Sequence, residues 1–305
     1  MRYLSAAMDS SSRALAVRPL LVGAGGLIGR HLAGWLEERY PHTVAATRTE
    51  LDITDRWRLE AEIERLEPTV VINAAALADV DRCEREPELA WRVNAEGPAN
   101  LAAACRAAGV RLIHFSTDYV FGAEPPAGDG FEEDDPPAPV NEYGRSKLGG
   151  EQAVLETLVD CVVLRVSFVF GPGRPTFADR VLDAALDPGA TPAAVDDWRT
   201  RPTGLDAIAE AVERVLEGGF TGLCHVAGSG PAVTRLEFAR RVLELAGLDP
   251  DRVAVQQVAG LALDAPRPSA SPLATGLYAR TFGAPPKSWE RSLADWLATR
   301  RTGDR

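Results

Sequence analysis

A short apolar run, Pro19-Leu20-Leu21-Val22, breaks into Gly23-Ala24-Gly25-Gly26-Leu27-Ile28-Gly29, and a helical pattern follows over residues 30–39. A strand, a glycine turn and a helix, in that order, open a parallel α/β unit. Glycines at 23, 26 and 29 permit a tight turn and let a pyrophosphate approach the backbone. The start of the helix then turns unpaired N–H groups toward the anion. The spacing is G-x-x-G-x-x-G rather than the better-known G-x-G-x-x-G, so the rest of the chain has to supply the context.

A second strand is expected over residues 43–47. An acid at the end of this strand usually holds the ribose of a cofactor without a 2′-phosphate. Here the strand ends on Thr47-Arg48, with Glu50 and Asp52 the nearest acids. Arg48 suits a 2′-phosphate, so NADP is the expected cofactor and NAD the alternative. Asp52 and Ile53 are expected to border the adenine. Thr54 or Asp55 is expected to cap a helix over Arg56–Leu66. An apolar run over residues 68–73 suits a strand covered on both faces. It opens into Ala74-Ala75-Ala76, small enough to admit a cofactor. A long helical region spans residues 87–108 and stops at Gly109; within it, Asn94 is expected to bond neighbouring backbone. Residues 110–115 form a fourth strand. It delivers Ser116, Thr117 and Asp118 to the carboxyl edge of the sheet, where ligands of open parallel sheets bind.

Asn141 then begins a helix carrying Tyr143 and Lys147. Residues four apart on a helix share a face. A cation beside a phenol favours the phenolate and lowers its pKa from about 10. Such a phenol exchanges a proton with a carbonyl or alcohol oxygen, and the Thr117 hydroxyl is placed to bond the same oxygen. With a hydride donor, this is a site for reducing a ketone.

Residues 122–140 are rich in Pro, Gly and acids; Glu132-Glu133-Asp134-Asp135 reads as a solvated loop. A buried strand is expected over residues 161–170. After Gly171-Pro172-Gly173 come shorter elements, with helices at 176–186, 206–217, 234–246 and 288–299 and one more strand at 222–227. The predicted fold is therefore α/β: a Rossmann-like, doubly wound parallel sheet with a smaller C-terminal substrate lobe. The sheet domain takes residues 17–170 plus about 204–228, and the lobe takes about 171–203 and 229–305.

The formal net charge of −11 over 305 residues argues against a nucleic-acid backbone as partner. Cys83, Cys105, Cys161 and Cys224 have no paired spacing, and the four histidines form no ligand cluster, so no metal is expected. The thiols suit a reduced, cytoplasmic protein. No apolar run approaches the roughly 20 residues that cross a bilayer. Residues 1–16 read as a disordered tail rather than a signal peptide, because Asp9-Ser10-Ser11-Ser12-Arg13 interrupts them.

On these residues the chain resembles the extended short-chain dehydrogenase/reductase superfamily and, within it, the dTDP-4-dehydrorhamnose reductase family. The most specific matches are Asn73-Ala74-Ala75-Ala76 with Val80-Asp81, Ser116-Thr117-Asp118-Tyr119-Val120-Phe121, and Tyr143-Gly144-Arg145-Ser146-Lys147-Leu148-Gly149-Gly150-Glu151. The resemblance implies NADPH- or NADH-dependent reduction of the 4-keto group of a dTDP-linked 6-deoxyhexulose to dTDP-L-rhamnose. It makes Tyr143 the proton donor and has Lys147 lower its pKa and bind the nicotinamide ribose. It has Thr117 position the keto oxygen, counts Asp118 with the catalytic group and sets Tyr119 by the sugar. Gly23, Gly26, Leu27, Ile28 and Gly29 would hold the diphosphate, while Ala74, Ala75, Ala76 and Ser116 would line the cofactor. Arg267, followed by Pro268, joins Tyr119 and Phe168 as a substrate contact.

The departures fall on the substrate side. Phe168 stands where the family often has a sugar-packing Trp, and it suits core packing equally well. Trp198 and Thr200 are substitutions in the family's Asp-Gln-x-Gly-x-Pro-Thr piece. His31 replaces a Glu that serves a metal-bridged dimer in some members, so neither that metal nor that dimer is carried over, and a homodimer of another kind stays open. The competing readings are a reductase or epimerase for another nucleotide keto-sugar and a non-catalytic NADP-binding regulatory subunit.

Overall fold

In the computed structural model, residues 15–122 and 128–303 are described; the tail expected over residues 1–16 lies outside them but for its last two. The chain divides into two compact units. The first comprises Met1–Thr117, Asn141–Arg165 and Glu213–Cys224, and the second the remainder.

The first unit is built on a six-stranded sheet. Its strands are β1 (Pro19–Val22), β2 (Val44–Ala46), β3 (Val70–Asn73), β4 (Arg111–Thr117), β5 (Cys161–Val166) and β6 (Gly222–Val226). The spatial order is β6-β5-β4-β3-β1-β2, and β1 pairs in parallel with both β2 and β3. The order reverses where β1 meets β3, so their carboxyl ends frame the crevice in which such sheets hold ligands. β1 and β3 are buried along their whole length, as their apolar runs require.

Four helices of this unit matter to the site: α1 (Leu27–Arg39), α2 (Arg56–Leu66), α3 (Gly97–Ala108) and α4 (Glu142–Thr157). Asp55 caps α2 by accepting from the Arg58 N–H, resolving the choice with Thr54. α2 packs on α3, and α3 on α4. Leu59, Ile63, Leu101, Val71, Leu112 and Val163 share the core between these helices and the sheet. Each fully buried side chain of this size contributes about 1.5–3 kcal/mol. The long helix expected over residues 87–108 is interrupted: a five-residue π-helical turn, Arg92–Glu96, separates Pro87–Trp91 from α3.

The second unit holds α5 (Phe177–Leu186), most of α6 (Leu205–Glu217), α7 (Arg235–Ala246) and α8 (Trp289–Gly303). Thr176 with Asp179, and Thr234 with Glu237, form capping boxes that start α5 and α7. The helices close on an aromatic core of Phe170, Phe238, Trp289 and Trp296. The continuous strand expected over residues 161–170 stops at Val166. Phe168 takes φ 39°, and only Val169–Phe170 resumes extended pairing, with Thr203–Gly204. No helix among the described residues is long and apolar enough to cross a membrane.

Candidate active site

The glycine turn sits at the β1–β3 switch point. Gly23 and Ala24 both donate their N–H to the Ala46 carbonyl at 3.0 Å. Gly23 has φ 82°, and a Cβ there would lie 2.4 Å from the Ala75 nitrogen. A left-handed backbone against another backbone admits only glycine. α1 begins at Leu27 with no side-chain cap and no acid in its first turn, which leaves its leading N–H groups for an anion.

The Ala74–Ala76 segment is clamped at both ends. Asn73, fully buried, accepts from the Ala75 N–H at 3.0 Å through Oδ1 and meets His114 Nδ1 at 3.0 Å through Nδ2. His114 therefore accepts at Nδ1 and carries its proton on Nε2. Burial first, and then the Lys147 charge, push its pKa well below the usual imidazole range. At the other end, Asn94 Oδ1 accepts from the Leu77 N–H at 2.8 Å and Asn94 Nδ2 donates to the Leu77 carbonyl at 3.0 Å. The same Nδ2 lies 3.1 Å from Ser146 Oγ on α4. Asn94, expected from sequence to bond neighbouring backbone, instead reaches across 17 residues. The signal was a lone Asn in an apolar helical stretch, but its partner was not legible.

Beyond β2, both acids are engaged. Glu50 accepts from the Thr47 N–H and hydroxyl at 2.8 and 2.6 Å. Asp52 accepts from the Thr54 N–H and hydroxyl, both at 2.9 Å, and from Arg48 Nε at 3.2 Å. The Arg48 side chain is 72% exposed. Ile53 is buried and packs against Gly97.

At the end of β4, Ser116 and Thr117 are buried. Asn141 caps α4 by accepting from the Gly144 N–H at 2.8 Å, which sets the register of the residues that follow. Tyr143, Lys147 and Glu151 succeed one another at single turns along one face of α4. Tyr143 is half-buried. Lys147, 2% exposed, donates to the Phe115 carbonyl at 2.7 Å. Burial lowers its pKa to about 8, opposed by the Glu151 charge. Glu151 is held by Arg165 at 2.8 and 3.0 Å and accepts from Ser116 Oγ. Ser116 thereby ties β4 to α4 through a buried ion pair.

In the second unit Asp118 is 4% exposed, and its Oδ2 has three hydroxyls around it: Ser167 at 3.0 Å, Thr200 at 3.4 Å and Ser271 at 2.5 Å. Tyr119 is buried and meets Trp198 edge-on, with centroids 6.2 Å apart. Arg267 donates Nη1 to the Ala265 carbonyl at 2.6 Å. Phe168 packs on Phe238 at 4.9 Å and lies against the Arg235 guanidinium. Within the acidic loop, Glu133 is half-buried and accepts from the His225 N–H at 2.8 Å; it is not simply solvated.

A glycine turn at a sheet switch point, followed on a later helix by a tyrosine and a buried lysine one turn on, defines an extended short-chain dehydrogenase/reductase. Comparison with known proteins agrees. A family model described as the RmlD substrate binding domain matches residues 17–302. The dTDP-4-dehydrorhamnose reductase of Mycolicibacterium smegmatis is 38% identical, over 93% of this chain and 86% of that protein. A dTDP-4-keto-6-deoxy-D-glucose reductase of Streptomyces niveus is 36% identical, over 77% of this chain and 81% of its own. The structure of dTDP-4-dehydrorhamnose reductase from Bacillus anthracis in complex with NADP superposes with a TM-score of 0.86 at 28% identity, covering 93% of this chain and 99% of that one. The chain belongs to the dTDP-4-dehydrorhamnose reductase family.

Proposed function

We propose that this chain reduces the 4-keto group of a dTDP-linked 6-deoxyhexulose with NADPH, giving dTDP-L-rhamnose. The observation that carries the reading is Lys147, buried at the end of β4 with its ammonium fixed on the Phe115 carbonyl, one turn after Tyr143. The uncapped start of α1 and the close pass of Gly23 by Ala75 fit a dinucleotide diphosphate. Arg48 is the exposed cation at the end of β2, and Glu50 and Asp52 already accept from protein donors. That pattern favours a 2′-phosphate over a ribose hydroxyl, hence NADP over NAD.

When bound, the reduced nicotinamide supplies hydride to the keto carbon. Tyr143 gives its phenolic proton to the keto oxygen as the alkoxide develops. Lys147 stabilises the resulting phenolate by its charge. The Thr117 hydroxyl donates to the same oxygen and fixes its direction. Asp118, surrounded by three hydroxyls, anchors the segment that follows Thr117. The reaction takes place in the cytoplasm.

Oxidation of NADPH, followed by its near-ultraviolet absorbance with dTDP-4-keto-6-deoxy sugars, tests the reading. Turnover with the L-lyxo-hexulose is expected. Turnover confined to another dTDP-keto-sugar would move the chain to a sister reaction, which the altered Trp198 and Phe168 positions favour as the second reading. Cofactor binding without turnover on any keto-sugar would make it a non-catalytic subunit.

A further inference from the structure

Arg235 opens α7, and nothing in the reaction described above uses it. Its guanidinium carbon lies 3.2 Å from the Phe168 ring centroid and 4.3 Å from that of Trp198. The side chain is thus held between two rings, an arrangement a delocalised cation favours. Its backbone N–H donates to the Trp198 carbonyl at 3.2 Å, tying the two residues together. Phe168 adopts φ 39° to bring its ring there, a conformation a bulky residue rarely accepts and one that concentrates at ligand sites.

Arg235 is 9% exposed, yet its Nη1 meets no acceptor among the described residues. The indole Nε1 of Trp198 is likewise buried with no acceptor. Buried donors are almost always paired, and leaving one unpaired is costly. Two in one aromatic cluster mark a place where a ligand supplies the acceptors. The Asp118 carboxylate, whose charge acts on Arg235, is already ringed by Ser167, Thr200 and Ser271. Burial lowers the Arg235 pKa to about 10, offset by Tyr119 and Asp118, so the group stays charged at neutral pH.

Resting on the reductase reading, we propose that Arg235 and Trp198 form a two-donor subsite that reads hydroxyl oxygens of the substrate hexose and sets which keto-sugar is accepted. Two features point to the sugar rather than the diphosphate. The groups that favour the charged form of Arg235 are Tyr119 and Asp118, the residues directly after Thr117 in the chain. A carboxylate whose charge reaches Arg235 also repels a phosphate but tolerates a neutral hydroxyl. The competitor has its own support, since Arg180 and Arg267 also act on Arg235 and add positive charge. A site built to hydrogen-bond a hydroxyl rejects analogues lacking it far more strongly than an apolar pocket does.

Titration calorimetry with dTDP and with dTDP-L-rhamnose, on the full chain with NADP present, separates the possibilities. The wild type should bind the sugar nucleotide more tightly than dTDP. Arg235→Met keeps a chain to lie between the rings, and Trp198→Phe keeps a ring without its N–H. Each should cost tenfold or more in affinity for dTDP-L-rhamnose and leave the affinities for dTDP and NADP within twofold. An equal loss for dTDP would assign the subsite to the diphosphate and overturn the proposal. So would a wild type that gains nothing from the hexose, or variants that bind as the wild type does. If the hexose increment is present and is lost in the variants while the wild type turns over no keto-sugar, the subsite stands and the reductase reading falls. If turnover is normal and both variants bind normally, the reverse holds.

Discussion

In the proposed reaction Tyr143 does one thing, deliver a proton. Tyr143→Phe should therefore leave NADPH affinity unchanged and lower turnover by about 10²–10⁴-fold, the usual contribution of a positioned acid. Single-turnover kinetics beside cofactor titration would check both halves. Lys147 adds a pH signature. Its pKa falls from 10.5 in an open chain to about 8 in the fold because burial penalises the ammonium. If Lys147 supports the phenolate as proposed, turnover should fall as pH rises through about 8, where its charge is lost. Stability should move the other way. Between about 8 and 10.5 the unfolded chain still holds the proton that the folded chain has released, so unfolding becomes less favourable as pH rises. Lys147→Met should lack that rise when chemical denaturation is followed across the window. At Arg48, replacement by Ala should raise KM for NADPH by about tenfold, the worth of roughly 1.4 kcal/mol, with little change for NADH.

Among the elements, α4 and the π-helical turn deserve to be considered as one device. A Cβ on Gly150 would lie 2.2 Å from the Asn94 carbonyl oxygen, so this helix can approach that turn only through glycine. Gly150→Ala should cost about 1–3 kcal/mol by forcing the two apart, read as a lower midpoint in denaturant. Because Asn94 also clamps Leu77 and lies on Ser146, the same variant should weaken NADPH binding, which a purely local defect would not do. Helices with strong start and stop chemistry were legible from the residues alone: Asp55, Asn141, Thr176 and Thr234 each sit at the expected helix start. The π-helical turn was not, since a widened turn leaves the apolar spacing of residues 87–108 nearly unchanged. Nor was the break at Phe168, because an apolar run carries no mark of backbone sign.

At the level of the whole chain, the parallel sheet and its glycine turn could be read in advance because both follow from local patterns: covered apolar strands, and glycine where backbone meets backbone. The Tyr143–Lys147 pair was legible for the same reason, being a relation within one helix. What escaped were relations between distant residues, such as Asn94 with Leu77 or Trp198 with Arg235, whose partners only the fold brings together. The thiols carry one more consequence of that organisation. All four cysteines are buried, and all belong to the unit that contains the glycine turn. Burial raises Cys83 and Cys105 to about 12 and Cys161 to about 11, so little thiolate exists near neutrality. An alkylating reagent should mark the native protein only when that half of the molecule opens, and NADPH should slow the marking by a factor of one plus the ratio of its free concentration to its Kd. The other half carries no sulfhydryl at all, so the reagent becomes a stopwatch for one half alone.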